Sequence, residues 1–188
     1  MTAGLSKPPS LAETADVAIR RIAASDLAQV SRFAFTVTIV EPGERGRLEA
    51  LFAETGFWTP LAGAVAIVAK TDNRLIGTAQ FYRPGPCVHG FELGYLLHDR
   101  DDRGRGFGAP AVRMFSDHLF EDQPEHHRQQ LMIEVWNTAS WRLAERSGFV
   151  REGIMRSAGL GAGDPGDCFV YSRTRKDWRE ERHTRVGG

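Results

Sequence analysis

The segment 91–115 constrains the fold of this chain more strongly than any other part of the sequence. An apolar stretch, 91–97, leads into a charged loop rich in glycine, 99–108, and then into a stretch with helical spacing that extends to about residue 120. The first turn of a helix exposes N–H groups without helical partners, and glycine lets a phosphate approach the backbone closely. The segment therefore predicts a strand, a pyrophosphate-binding loop and a helix. The alternative is a solvated surface loop in which aspartates lie beside arginines.

Apolar patterns elsewhere in the chain predict a mixed α/β fold of the α+β type. Strands are predicted at 17–22, 63–70, 75–83, 91–97, 131–136, 149–157 and 167–174. Helices are predicted around Leu27, Val30 and Phe33, at 44–55, from the glycine-rich loop to about 120, and at 140–146. Because hairpins and a strand–helix–strand crossover occur in one chain, we expect a mixed sheet with helices on its faces.

The composition is that of one globular domain with balanced charge. The chain has 188 residues, 41% of them apolar, and 24 Lys and Arg residues match 24 Asp and Glu residues. We expect a single domain at 17–178 with flexible tails at 1–16 and 179–188. A formal net charge of zero argues against direct nucleic-acid binding, and no apolar run is long enough to indicate a membrane span. Cys87 and Cys168 form no metal-binding pattern, which favours a cytoplasmic location and no bound metal.

The spacing of the glycines excludes two common phosphate-binding motifs. The pattern GxxxxGK[ST] is absent, and the loop has the order GxGxG instead of GxGxxG. The chain after the loop is also too short for a dinucleotide-binding fold. The pattern that is present is R-x-x-G-x-G, formed by Arg103, Gly106 and Gly108.

This pattern resembles the acetyl-CoA-binding motif of the GNAT acetyltransferase superfamily. Further segments resemble its RimJ/RimL-like branch, in the same order along the chain. They are Asn137 and Ser140, the run 146–149, Glu152 with Gly153, and the set Asp167, Tyr171, Asp177 and Trp178. The resemblance covers 17–178, and it implies a mostly antiparallel sheet of about seven strands, with strands 4 and 5 splayed apart, flanked by about four helices.

The resemblance also implies how acetyl-CoA would bind as the acyl donor. The pyrophosphate would be held by the backbone amides of Arg103, Gly104, Arg105, Gly106, Phe107 and Gly108. The pantetheine arm would lie along Tyr95, Leu96 and Leu97, between the two splayed strands, and would touch Asn137. Pro110 lies in the first helical turn and removes one N–H donor, so the phosphate contacts are expected earlier in the loop.

Acyl transfer to an amine requires a base, because an alkylamine with a pKa of about 10 is protonated at neutral pH. Glu92 is the first candidate, since it has the spacing to Arg103 of the base glutamate in several relatives. The alternative is that Glu92 faces solvent or pairs with an arginine, and Glu134 is the second candidate base. Ser140 is the candidate that stabilises the departing thiolate, although a helix cap explains it equally well. Ala144 occupies the position at which many members of the superfamily have a tyrosine that acts as the general acid.

The sequence therefore predicts an N-acetyltransferase that acts on a primary amine by direct attack in a ternary complex. The acceptor is a protein N-terminus or a small-molecule amine, bound between residues 35–60 and the loop 159–166. Phe57 and Trp58 either line that pocket or belong to the core. The alternative function is a non-catalytic CoA-binding module, and the expected assembly is a monomer or a homodimer.

Overall fold

The computed structural model describes residues 7–33, 44–84, 89–159 and 166–186. The α-helices are α1 (Leu27–Val30), α2 (Arg45–Thr55), α3 (Gly108–Asp122), α4 (Thr138–Arg146) and α5 (Arg175–Val186), and short 3-10 turns occur at Ala24–Asp26 and Arg100–Asp102. The strands are β1 (Ser10–Glu13), β2 (Val17–Arg21), β3 (Ala62–Ala69), β4 (Arg74–Tyr82), β5 (Gly90–Leu97), β6 (Arg128–Glu134), β7 (Val150–Met155) and β8 (Cys168–Thr174).

The described strands follow the order β1-β2-β3-β4-β5-β6-β8-β7 in a mixed sheet. The pairs β1–β2, β2–β3, β3–β4, β6–β8 and β7–β8 are antiparallel, whereas β5 and β6 are parallel. The predicted mixed α/β fold is therefore confirmed, with one strand and one helix more than the sequence indicated.

The described residues form two compact units, and the first consists of those up to 82 together with 94–107. Strand β3 is buried along almost its whole length, as its uninterrupted apolar sequence predicts. Its residues Ala64, Ala66 and Val68 pack in one cluster with Val30 of α1 and Leu48 of α2. Helix α2 ends at Gly56, which takes the left-handed conformation (φ +59°) common after a helix C-terminus.

The second unit consists of 83–93 and the described residues from 108 onward. Burial alternates along β6, so that Gln129, Leu131 and Ile133 are buried while the residues between them are half-exposed. The Gln129 side chain donates a hydrogen bond to the Ser116 carbonyl of α3 (2.9 Å). The buried face of β6 therefore lies against α3, whose Phe115, Leu119 and Phe120 are buried with it.

Two buried arginines of the second unit connect β8 and α5 to α3. Arg173 pairs with Asp117 of α3 at 2.7 Å and with Glu181 of α5 at 2.6 Å. Arg175 donates hydrogen bonds of 2.7–2.8 Å to three main-chain carbonyls. That of Phe120 is in the last turn of α3, and those of Gln123 and His126 follow the helix. The guanidinium of Arg175 therefore serves as a C-terminal cap for α3.

Strand β1 lies in the segment that the sequence predicted as the N-terminal tail, and helix α5 begins in the predicted domain and extends into the predicted C-terminal tail. β1 has only four residues, two of them polar, and it pairs with β2 in antiparallel orientation. α5 is strongly polar, but Glu181 reaches Arg173, and the ring of Trp178 lies 5.7 Å from that of Phe120. Domain boundaries at 17 and 178 stay a prediction. Within the described ranges, none of the helices has the length and apolar character needed to span a bilayer.

Strand β6 occupies 128–134 and not the predicted 131–136. Beyond Glu134 the backbone turns, since the N–H of Asn137 donates to the Glu134 carbonyl at 2.8 Å. Val135 and Trp136 are consequently exposed, and α4 begins directly afterwards. The predicted strand end is wrong because this apolar pair belongs to a turn.

Candidate functional site

The loop after β5 has the backbone conformation that its glycines predict. The 3-10 turn Arg100–Asp102 ends at Arg103, which is extended (φ −76°, ψ 148°). Gly104 (φ +75°) and Gly106 (φ +89°) are both in the left-handed region. A Cβ atom at either position would meet no atom within 4 Å, so the backbone angle and not the space requires glycine here. Backbone with such alternating angles directs successive N–H groups into a concavity that suits anions.

The side chains of Arg103 and Arg105 are exposed, and each contacts a neighbouring part of the chain. Arg103 donates from Nε and Nη2 to the Leu97 carbonyl, at 3.3 and 3.0 Å. The Arg105 guanidinium lies 5.1 Å from the centre of the Phe107 ring, and its Nη1 is 3.7 Å from Asp102 Oδ1. Both cations are thus held at the loop that the sequence predicts to bind a pyrophosphate. Gly108, the last residue of the predicted motif, begins α3.

A buried carboxylate near the start of this loop is paired with an arginine that sequence reasoning did not identify. Asp102 is 1% exposed. Arg74, the first residue of β4, donates from Nη1 and Nη2 to the two oxygens of Asp102, both at 2.8 Å. The hydrogen bond from Arg74 holds the pKa of Asp102 below its usual range despite burial, so the carboxylate stays charged at neutral pH.

The residues predicted to lie along the pantetheine arm occupy the last positions of β5. Tyr95 and Leu97 are half-buried, and Leu96 is more exposed. The Leu97 carbonyl already accepts the Arg103 guanidinium. Backbone pairing with a ligand at this position therefore competes with Arg103, which the sequence did not indicate.

Glu92 lies on β5 in the second unit, with its side chain half-buried. Its register partner on the parallel strand β6 is Gln130, whose Nε2 donates to Glu92 Oε2 at 3.0 Å. Two side chains at paired positions of neighbouring strands point to the same face of a sheet. Gln130 therefore fixes the carboxylate of the first candidate base, and sequence reasoning did not identify it.

Glu134, the second candidate base, lies four residues beyond Gln130 and on the same face of β6. Four residues of extended strand span roughly 13 Å. Glu134 pairs in register with the buried Cys168 of β8. Burial raises the pKa of the Cys168 thiol, and the negative charge of Glu134 adds to that effect. The two candidate carboxylates therefore lie at different parts of the same sheet face.

The structure decides which residue caps α4. Asn137 is the N-cap, and its Oδ1 accepts the N–H of Ser140 at 3.2 Å. The alternative that Ser140 is the helix cap is therefore wrong, and its proposed role at the thiolate stays a prediction. Since Asn137 uses Oδ1 for the cap, a ligand contact from this side chain would use Nδ2. Ala144 is fully buried in α4 and has no group that donates a proton.

The predicted acceptor region is described only in part. Residues 35–43 and 160–165 lie outside the described residues. Phe57 is buried in the core of the first unit, with its ring edge-on to that of Phe52. The prediction that Phe57 belongs to the core is therefore confirmed. Trp58 is half-buried, with the Arg21 guanidinium 3.3 Å from the centre of its ring. Its part in acceptor binding stays a prediction.

The sequence profile of the Acetyltransferase (GNAT) domain matches residues 7–150. The chain belongs to the GNAT acetyltransferase family. The predicted resemblance to this family is therefore confirmed. Ribosomal-protein acetyltransferases, RimJ and RimL among them, are found among the proteins similar to this chain.

Among sequence relatives, a probable N-acetyltransferase, YjcK of Bacillus subtilis (strain 168), is 35% identical over 92 residues, which are 48% of this GNAT chain and 49% of the relative. The chain spans about half to two thirds of the length of the curated relatives it matches, 49% of one and 65% of another.

Solved structures of GNAT proteins share the fold. A ribosomal-protein-S5-alanine acetyltransferase from Vibrio fischeri has a TM-score of 0.70 at 23% identity, covering 89% of this chain and 97% of the other. A spermidine N-acetyltransferase from Vibrio cholerae, in complex with CoA and spermine, has a TM-score of 0.70 at 18% identity, covering 88% and 99%. At these identities the likeness establishes the fold and leaves the substrate open.

Proposed function

We propose that this GNAT protein transfers an acetyl group from acetyl-CoA to a primary amine by direct attack in a ternary complex. The observation that carries the proposal is the loop with Gly104 and Gly106 in left-handed conformation, placed between a strand and a helix. Membership of the GNAT family and the presence of CoA in a Vibrio cholerae protein of the same fold support it. The acyl donor is a substrate, and the proposal requires no metal.

The loop supplies two kinds of group for the pyrophosphate. Backbone N–H groups of 103–108 point into an anion-binding concavity, and Arg103 and Arg105 add positive charge at its rim. The pantetheine arm lies along Tyr95, Leu96 and Leu97, and Arg103 releases the Leu97 carbonyl when it turns to the phosphates. Nδ2 of Asn137 donates to the arm.

Glu92 removes the proton that keeps the acceptor amine from attacking. Its half-buried position on β5 and its hydrogen bond from Gln130 hold the carboxylate in one orientation. A positioned base contributes on the order of 10²–10⁴ to the rate. The neutral amine forms the new C–N bond, the C–S bond breaks, and the Ser140 hydroxyl stabilises the leaving thiolate by a hydrogen bond.

The deciding experiment is a thiol-release assay with acetyl-CoA against a panel of amines and peptides. We expect Glu92→Gln to lower kcat by about 10²–10⁴, as loss of a general base does, while the Kd for CoA stays unchanged. Glu134→Gln is the matched control, because it removes a carboxylate from the same sheet face about 13 Å away. We expect Ser140→Ala to lower kcat as well.

Two results would contradict the mechanism in different ways. Equal activity of wild type and Glu92→Gln, together with loss of activity in Glu134→Gln, would transfer the base to Glu134. No turnover of any amine by a wild-type protein that binds CoA would favour the second candidate function, a non-catalytic CoA-binding module. The buried Ala144, in place of an acidic tyrosine, is the observation that favours that module.

The acceptor panel separates the two classes of amine. Relatives of the same family include proteins named for ribosomal-protein N-acetylation and for spermidine N-acetylation. We include both a protein N-terminus and small-molecule amines in the proposal. The cytoplasmic location, the absence of direct nucleic-acid or membrane binding, and the monomeric or homodimeric state remain predictions from the sequence.

A further inference from the structure

We infer that Arg74 is a positioning residue for the CoA-binding loop, which it serves by neutralising Asp102 and fixing the turn that leads into the loop. The inference rests on the proposed function, since it concerns how the same loop accepts a pyrophosphate. Arg74 lies on β4, and it belongs to none of the segments on which the resemblance to the family was recognised in the sequence.

The contact between Arg74 and Asp102 is geometrically restrictive. Two nitrogens of one guanidinium meet two oxygens of one carboxylate at 2.8 Å each, which fixes the orientation of both planar groups. Asp102 is the last residue of the 3-10 turn, directly before Arg103. The pair therefore ties the start of the loop to β4, which is itself paired with β3 through eight residue positions.

Asp102 without Arg74 would oppose the binding of an anion. Its carboxylate is buried, so water and salt screen its charge poorly. It precedes the left-handed Gly106 by only four residues. While Arg74 is present, its hydrogen bond is the largest cause of the lowered pKa of Asp102, so in the wild-type protein this carboxylate is charged and its charge is compensated.

Arg105 is not an adequate substitute for Arg74. Its Nη1 is 3.7 Å from Asp102, beyond hydrogen-bond distance, and its side chain is exposed. If Arg105 turned to Asp102 after loss of Arg74, it would leave the loop that is proposed to bind phosphate. Loss of Arg74 is therefore expected to weaken phosphate binding in two ways. It leaves the charge of Asp102 uncompensated, and it draws Arg105 away from the phosphates.

The test compares two acyl donors in full-length protein. Acetyl-CoA carries the pyrophosphate, whereas S-acetyl-pantetheine carries the same thioester without it. For Arg74→Met we expect the Kd for CoA, measured by calorimetry, and the KM for acetyl-CoA to rise roughly tenfold or more, as loss of a compensating charge beside an anion site does. We expect kcat/KM with S-acetyl-pantetheine to stay within about twofold of wild type, because that donor does not use the loop.

A double variant and two controls complete the design. Arg74→Met with Asp102→Asn is expected to recover most of the affinity for CoA, because the uncompensated charge is gone. Arg74→Lys keeps the charge but cannot bridge both oxygens, so an intermediate Kd is expected, and this variant serves if Arg74→Met does not fold. Arg45→Met is the matched control, since Arg45 pairs with Glu49 at 2.7 Å on the exposed side of α2.

Three outcomes overturn the inference. The first is an unchanged Kd for CoA in both Arg74 variants. The second is an equal loss of activity with both acyl donors, which indicates a role in folding alone. The third is a double variant as weak as Arg74→Met. Failure of the wild-type protein to bind CoA is distinguishable from all three, because it removes the proposed function itself.

Discussion

Protonation of His98 is expected to destabilise the first unit as the pH falls below neutral. His98 follows β5, is only 7% exposed, and stacks on Phe33 with ring centres 4.0 Å apart. Gln29 donates from Nε2 to His98 Nδ1 at 3.2 Å, so the single proton of the neutral ring is on Nε2. Burial is the main cause that lowers the pKa of His98 to about 4.

The charges around His98 do not reverse this effect. Asp99 and Asp102 favour the protonated ring and Arg32 opposes it, but burial is the largest cause. In the unfolded chain the pKa returns to about 6.5, so between pH 6.5 and 4 the unfolded state binds more protons than the folded state. Stability is therefore present above about pH 6.5 and is lost as the pH falls towards about 4. The free energy of unfolding should decrease by about 2 kcal/mol between pH 7 and pH 5 from this group.

The assay is urea unfolding of wild type and His98→Gln at several pH values between 7 and 5. The glutamine side chain does not titrate. From pH 7 to pH 5 the unfolding free energy of wild type should therefore fall by about 2 kcal/mol relative to that of His98→Gln. His183→Gln, at an exposed histidine, is the control for the effect of a histidine-to-glutamine replacement as such. Parallel pH curves for wild type and His98→Gln would refute the assignment of a low pKa to a buried neutral ring.

Two further predictions concern the loop and the cap of α3. Gly106→Ala should raise the Kd for CoA by roughly fivefold or more in a calorimetric titration, because a Cβ at φ +89° costs about 1–2 kcal/mol. The control is Gly46→Ala in α2, at a position equally open in space, which should leave the Kd for CoA unchanged. Arg175→Met should lower the free energy of unfolding, measured by urea denaturation, by about 3 kcal/mol, since three carbonyls lose a charged donor. The control is Lys176→Met at the exposed neighbouring residue, which should lower the free energy of unfolding by less than about 0.5 kcal/mol. Equal behaviour of the two variants in either pair would contradict the corresponding reason.

The parts of the fold that could be predicted from sequence are those whose order comes from their own apolar pattern. β3 is a continuous apolar run, and α3 repeats apolar residues at helical spacing, so the sequence locates both closely. α5 escapes such a prediction because its residues are mostly charged. Its contacts with residues distant in sequence include those of Trp178 with Phe120 and of Glu181 with Arg113. Such tertiary contacts leave no local periodic signal.

The same distinction separates the predicted and the unpredicted parts of the candidate site. The left-handed glycines could be anticipated, because only glycine adopts those angles at low cost and the motif is local. Arg74 is 28 residues from Asp102, and Gln130 is 38 residues from Glu92. Neither partner could be assigned without the tertiary structure, which pairs Gln130 with Glu92 through strand register and brings the turn with Asp102 to the first residue of β4.

The charge that the loop presents to a ligand also depends on these partners. In the sequence, residues 99–105 contain three aspartates and three arginines, which indicates a neutral segment. In the structure Asp102 is buried and neutralised by an arginine from outside the segment, while Asp99, Asp101, Arg100, Arg103 and Arg105 are exposed. The exposed surface of the loop therefore has one more arginine than aspartate. An excess of positive charge beside open backbone N–H groups is what a pyrophosphate requires, and Arg74 is the residue that creates it.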